Sequence, residues 1–265
     1  MTRARYTHGH HPAVLRSHGQ RTAADSAGYL LPRLNRNHRL LDVGCGPGSI
    51  TVDLAGRVGR VTAIDITESV LEPARELAAE RSVANVDFRV GDVYDQAFAD
   101  DSFDVVHAHQ VLQHLDDPVA ALREMRRVCV PGGLVAARDA DYAAMTWYPR
   151  IPELDEWLAL YRGVARGNGG EPDAGRRLLG WARRAGFTEV TATASTWCYA
   201  TPADRDRWGG GWAERIVGSA IAEQAVAGGH CTRGDLDRIA AGWWEWAAAA
   251  DGWFAVLHGE IMATA

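Results

Sequence analysis

Leu40-Leu41-Asp42-Val43-Gly44-Cys45-Gly46-Pro47-Gly48-Ser49-Ile50 is an apolar, branched run that ends in three glycines at alternate positions and passes into an amphipathic segment from Ile50. The pattern predicts a buried strand, a tight turn and a helix start. Glycines in such a turn allow positive φ and remove the Cβ atoms that would hold a ligand away from the backbone. The new helix adds N–H groups without intrahelical partners. A large polar ligand is expected to lie across this turn.

The spacing separates two nucleotide cofactors. A dinucleotide fingerprint has glycine at its first, third and sixth positions. Here Ser49 holds the sixth position and Gly48 the fifth, so the glycine that closes helix onto strand is missing. Asp42, two residues before Gly44, would repel a pyrophosphate and attract an ammonium or sulfonium group. The string resembles motif I of the class I S-adenosylmethionine-dependent methyltransferases, in particular the branch that includes ubiquinone and menaquinone biosynthesis methyltransferases. The resemblance covers residues 38 to 140 by motif and the remainder by layout. It implies an α/β fold: a doubly wound, mostly parallel, seven-stranded Rossmann-like sheet with an antiparallel last strand and a helical lid. It also implies S-adenosyl-L-methionine as cofactor, held around Asp42, Gly44, Cys45, Gly46 and Gly48.

Working outward, Arg60 to Ile64 reads as a second strand that ends at Asp65, about twenty residues beyond the first glycine, where a carboxylate accepts from a ribose diol. Ile66 follows it in the cofactor set. Thr67, Ser69 and Glu72 offer the alternative that Asp65 only caps the next helix. That helix, Leu71 to Arg81, is expected to become regular near Pro73. After a third strand, Val86 to Val90, the resemblance assigns the adenine to Asp92 and Val93; Asp92 as a plain turn residue is the other reading. The fourth strand, within Asp101 to Gln110, brings His109 and Gln110 to the carboxyl edge, where open α/β sheets bind ligands. The resemblance places the methionine part of the cofactor against them. Pro131-Gly132-Gly133 reads as a turn and Leu134 to Arg138 as the fifth strand. Asp139, Asp141 and Tyr142 then project beside the methyl group, to orient or deprotonate an acceptor or simply to cap a loop.

Composition bounds the alternatives. The 265 residues carry a net charge of -6 with no basic stripe, which argues against nucleic acid as partner. Cys45, Cys129, Cys198 and Cys231 are too scattered for a disulfide framework or a zinc site. No apolar run reaches transmembrane length and no signal-peptide core opens the chain, so a cytoplasmic protein without membrane insertion is expected. A homodimer stays open. Residues 1 to 37 are expected to form a helical lid segment, with Ala23 to Leu31 as its helix; Tyr6 and His8 would contribute to the site, and His8, His10 and His11 are read as solvated or lid residues with no metal. Residues 38 to 140 form the cofactor-binding core, and residues 141 to 265 supply the last strands, Phe187 to Tyr199 and Trp253 to Met262, with helical substrate-cap insertions. All ten tryptophans lie between positions 147 and 253. They read as cap core or as walls of an apolar pocket for a flat substrate.

The expected activity is therefore methyl transfer to an O, N or C nucleophile of a small aromatic or polyketide-like acceptor. A sulfonium-borne methyl is already electrophilic, so positioning supplies most of the acceleration and a protein base such as His109 is optional. The rival readings are a cofactor-binding regulatory protein without transferase activity and a nicotinamide-dependent oxidoreductase.

Overall fold

In the computed structural model, which describes Thr7 and residues 18–265, parallel strands flank the strand that leads into the glycine turn. β1 (Arg39–Val43) is buried from its second residue on, as expected of a strand covered on both faces. It pairs in parallel with β2 (Arg60–Asp65) on one side and with β4 (Phe103–His109) on the other. β3 (Val86–Val90) extends the first edge and β5 (Cys129–Ala140) the second. β8 (Trp253–Thr264) lies antiparallel between β5 and β7 (Val190–Tyr199). The seven expected strands are present. An eighth, β6 (Thr146–Tyr148), pairs with β8 beyond the end of β5.

Helices cover both faces. The short α1 (Ala23–Ser26) and α2 (Ser49–Ala55) pack over Leu40, Val61, Ala63 and Val105. α4 (Pro118–Val128) and α6 (Leu178–Ala185) cover Leu41, Val43, Val106 and Val135 on the other side. α3 (Glu68–Glu80) follows β2. α5 (Pro152–Gly167) joins the helices between β7 and β8, namely α7 (Pro202–Arg205), a π-turn over Asp206–Gly210, α8 (Gly211–Gly218), α9 (Ala220–Ala227) and α10 (Arg233–Ala248). These share a separate cluster in which Trp157, Trp212, Trp243 and Trp246 are fully buried. Trp244 is exposed. The cap is thus built around its tryptophans by edge-to-face and stacked pairs such as Trp157 with Trp212, ring centroids 4.6 Å apart, an arrangement favoured by the ring quadrupoles.

Several boundaries differ from the sequence reading. α3 is regular from Glu68, with Pro73 inside it, because Val70, Leu71, Ala74 and Ala78 make one buried stripe whose burial outweighs a single missing N–H. Pro131-Gly132-Gly133 forms no separate turn: it is absorbed into β5 by a register shift against β4 between Phe103 and Val105. The leader helix stops at Ser26, and Leu31–Arg33 makes a 3-10 turn around Pro32. The described part of the leader is tied down by Ser49 Oγ donating to His18 O at 3.0 Å, Ala23 N–H to Asp53 Oδ2 at 2.9 Å and Trp197 Nε1–H to Asp25 O at 2.9 Å. The lid residues Tyr6, His8, His10 and His11 lie outside the described residues. Among the described residues, no helix is long and apolar enough to cross a membrane and no cluster of acidic, histidine or cysteine side chains could hold a metal.

Candidate active site

At the carboxyl edge of β1, β2 and β4 the backbone opens a cleft of about 450 Å³, a size usual for small-molecule sites, which run roughly 300–1,000 Å³. Its floor is the glycine turn. Gly44, Gly46 and Gly48 have φ of 68°, 55° and 78°, all in the region that favours glycine. They do different work. A Cβ on Gly48 would sit 2.8 Å from Ala74 Cβ, so that glycine lets the loop close on α3, whereas a Cβ on Gly46 would meet nothing within 4 Å and would stand in the open space above the loop.

Two carboxylates organise the loop. Asp65, at the end of β2, accepts from Gly46 N–H at 2.9 Å through Oδ2 and from Ile66 N–H at 2.8 Å through Oδ1. An ionised carboxylate offers about four acceptor sites, more than these two backbone bonds use. Asp42 is buried and accepts from Thr51 Oγ1 at 2.6 Å and from His107 Nδ1 at 2.9 Å. The second bond follows from topology, because Asp42 and His107 are register partners on neighbouring parallel strands.

The cleft is lined by Asp42, Gly44, Cys45, Gly46, Asp65, Ile66, Val93, His109 and Gln110 of the expected set. Gly48 stands behind the loop. Asp92 is not among the lining residues, and its Oδ1 accepts from Tyr94 N–H at 3.0 Å. His109 is buried and, among the described residues, neither ring nitrogen has a hydrogen-bond partner. Burial, then the guanidiniums of Arg21 and Arg138, hold its pKa well below the usual imidazole value, so the ring is neutral.

Asp139, Asp141 and Tyr142 stand apart from the cleft. Asp139 is fully buried, accepts from Gln113 N–H at 3.0 Å, and has its pKa pushed up to about 8 by burial. Asp141 is held by Arg176, whose Nε and Nη2 each donate at 2.6 Å. Tyr142 instead lines a small chamber of about 20 Å³ beyond the cleft, together with Met145, Trp197, Trp208, Trp212 and Arg215. His18, Arg21 and Gln110 line both spaces and so mark where they meet.

His18, Arg21 and the Asp42–His107 pairing were not assigned from sequence, nor was His258, which lies against Gln110. A signal for one of them existed: His107 and His109 are two residues apart on a strand, hence on one face, and the reversal of strand order that lays β4 beside β1 sets that face next to Asp42.

A strand ending in a glycine turn that wraps an open cleft, an acidic residue closing the second strand, and the sheet order 3-2-1-4-5 with an antiparallel β8 inserted before β7 match a known set of proteins. Residues 34–191 match the model of a methyltransferase domain. The chain belongs to the class I S-adenosylmethionine-dependent methyltransferases. It is 38% identical over 212 residues to an uncharacterized methyltransferase of Schizosaccharomyces pombe, which covers 76% of this chain and 75% of that protein. It is 37% identical over 131 residues to the demethylmenaquinone methyltransferase of Staphylococcus aureus, 48% of this chain and 51% of that one. In fold it is similar to the crystal structure of YcgJ from Bacillus subtilis, with a TM-score of 0.59, 23% identity and coverage of 89% and 96%. The cofactor is S-adenosylmethionine, and the cleft suits it: an open glycine backbone at Gly46 and an acceptor-rich carboxylate at Asp65 stand where a nucleoside can lie. When bound, this cofactor supplies an electrophilic methyl group carried on a sulfonium.

Proposed function

We propose that this methyltransferase acts on an oxygen, nitrogen or carbon nucleophile of a small aromatic or polyketide-like acceptor. The supporting observation is the chamber walled by Tyr142, Trp197, Trp208 and Trp212, which adjoins the cofactor cleft at Gln110. Flat rings stack on such walls. At about 20 Å³ the chamber has room for about one water, so an acceptor takes its place by parting flexible side chains such as Met145.

In this reading Asp65 accepts from the ribose diol, Val93 and Asp92 flank the adenine, and the backbone from Gly44 to Gly48 with Gln110 frames the methionine part. The described end of the leader and the cap residues from 141 onward cover the reacting atoms and keep water out. His109 is the group that takes a proton from the acceptor. A weakly basic imidazole suffices, because an oxygen or nitrogen becomes far more acidic once it has gained a methyl group. Asp139 and Asp141 serve the scaffold.

The test is incubation with S-adenosylmethionine and a panel of phenols, naphthols and aromatic polyketides, following release of S-adenosylhomocysteine. Turnover that depends on an aromatic acceptor is expected, and His109→Ala should lower kcat, measured at saturating cofactor, by more than it weakens S-adenosylhomocysteine binding. Tight cofactor binding with turnover only on aliphatic acceptors would refute the proposal.

A further inference from the structure

Gln110 occupies an unusual position for its residue type. Its φ is 54°, in the left-handed region that side chains other than glycine, asparagine and aspartate rarely adopt. The backbone is held there by Gln110 N–H donating to Arg138 O at 2.7 Å. Strain of this kind persists where the surroundings fix it, and such places cluster at functional sites. The consequence here is that the side chain stands at the junction of the cofactor cleft and the aromatic chamber.

The polarity of that side chain can be worked out. Gln110 Nε2 lies 2.9 Å from Nε2 of the fully buried His258. On the other side of the ring, His258 Nδ1 lies 3.1 Å from Val256 O. A carbonyl oxygen only accepts, so Nδ1 carries the proton. Burial, with Arg138 and Arg21 nearby, disfavours a second proton on the ring. Nε2 is then bare and accepts, and the group Gln110 turns to it must be the amide NH2. The amide oxygen is left at the junction, and among the described residues nothing donates to it.

We propose that Gln110 Oε1, oriented by His258, is the subsite for the acceptor's reacting group and selects a protic nucleophile, an O–H or N–H that donates to it. This rests on the aromatic-acceptor reading above. A tertiary amine or an ether has no hydrogen to give and meets the oxygen lone pair against lone pair. His258 is a positioning residue: it touches neither acceptor nor cofactor, and acts by fixing which end of the amide faces the reaction. In the transfer itself the S–CH3 bond breaks, the new bond to the nucleophile forms, and the proton first held by Gln110 leaves for His109.

The experiment measures binding of 1-naphthol, 1-naphthylamine and 1-methoxynaphthalene to the full chain saturated with S-adenosylhomocysteine, alongside the affinity for S-adenosylhomocysteine itself. The two protic probes should bind about tenfold tighter than the methoxy compound, the scale of one hydrogen bond. Gln110→Asn keeps a residue that tolerates positive φ but cannot reach His258, and His258→Phe removes the partner. Both should erase the preference, and His258→Phe, at a residue outside the cleft lining, should leave S-adenosylhomocysteine affinity unchanged. His258→Gln restores an acceptor for the Gln110 NH2 and should restore the preference. A preference that survives Gln110→Asn overturns the proposal. So does a tenfold loss of S-adenosylhomocysteine affinity in His258→Phe, which would assign the oriented amide to the cofactor. Failure of all three probes to bind the loaded wild-type protein would instead defeat the aromatic-acceptor reading on which the proposal rests.

Discussion

Removing the Asp65 carboxylate should cost the cofactor site more than any other single truncation in the loop. In the structure its two oxygens each take one backbone N–H, from Gly46 and Ile66, and hydrogen bonds to a charged group contribute about 1.5–3 kcal/mol each. Asp65→Ala therefore both frees the loop and removes the acceptors for the ribose. A net loss of about 3 kcal/mol corresponds to roughly 150-fold weaker binding. Asp65→Asn is the sharper variant. Its amide can offer an oxygen to only one of the two N–H groups and must point an NH2 at the other, so it should lose nearly as much as alanine despite its matched shape. Calorimetric titration with S-adenosylhomocysteine, with thermal unfolding as a check that the fold survives, reads both. If both variants bind within about threefold of wild type, a difference of only ~0.7 kcal/mol, the carboxylate does not organise the site and the reasoning fails.

Three further outcomes follow from the geometry. Gly48→Ala should destabilise the protein by ~2–4 kcal/mol, since it adds a positive-φ penalty to overlap with Ala74; Gly46→Ala should cost stability only ~1–2 kcal/mol yet weaken S-adenosylhomocysteine binding at least as much as Gly48→Ala does, and urea midpoints with titrations separate the two. Asp139 is protonated in the fold up to about pH 8, while an unfolded aspartate ionises near 4. The native state thus binds the extra proton between those values, and stability should fall as pH rises from about 4 to 8, by at most ~1.4 kcal/mol per unit. Asp139→Asn should flatten that slope in urea midpoints taken across the range, and parallel profiles would contradict the assignment. Asp141→Asn should lower stability by ~1–3 kcal/mol through its bonds to Arg176, with kcat per folded molecule unchanged; a selective loss of kcat would return Asp141 to the chemistry.

The cofactor half of the site was legible because its signals are local. Strand, glycine turn, helix start and the acid at the end of the next strand all fall within Leu40 to Asp65, where spacing alone carries the geometry. The fourth strand delivered His109 and Gln110 to the cleft for the same reason: every parallel strand in such a sheet presents its carboxyl end there. What sequence could not supply was pairing across distance. Asp141 meets Arg176 only because the loop after β5 folds against the segment before α6, and His258 meets Gln110 only because β8 turns back beside β5. Three acids or phenols following a strand look alike in sequence. Burial then separates Asp139, sealed under Gln113, from Tyr142, which reaches the chamber. Pro73 misled for a related reason, since the value of a buried stripe depends on a partner surface that the helix's own sequence does not contain.

The placement of the tryptophans divides the molecule optically. Residues 1–146 hold none of the ten, so the tryptophan emission of this protein arises wholly from the second half. Trp157, Trp212 and Trp243 stand within 6.1 Å of one another by ring centroid and will share excitation, reporting the cap as one body. Trp197, close to both His109 and Arg21, is the indole placed to sense the junction of cleft and chamber. Filling of that junction and rearrangement of the cap are therefore expected to change the emission of different indoles in a single unlabelled sample.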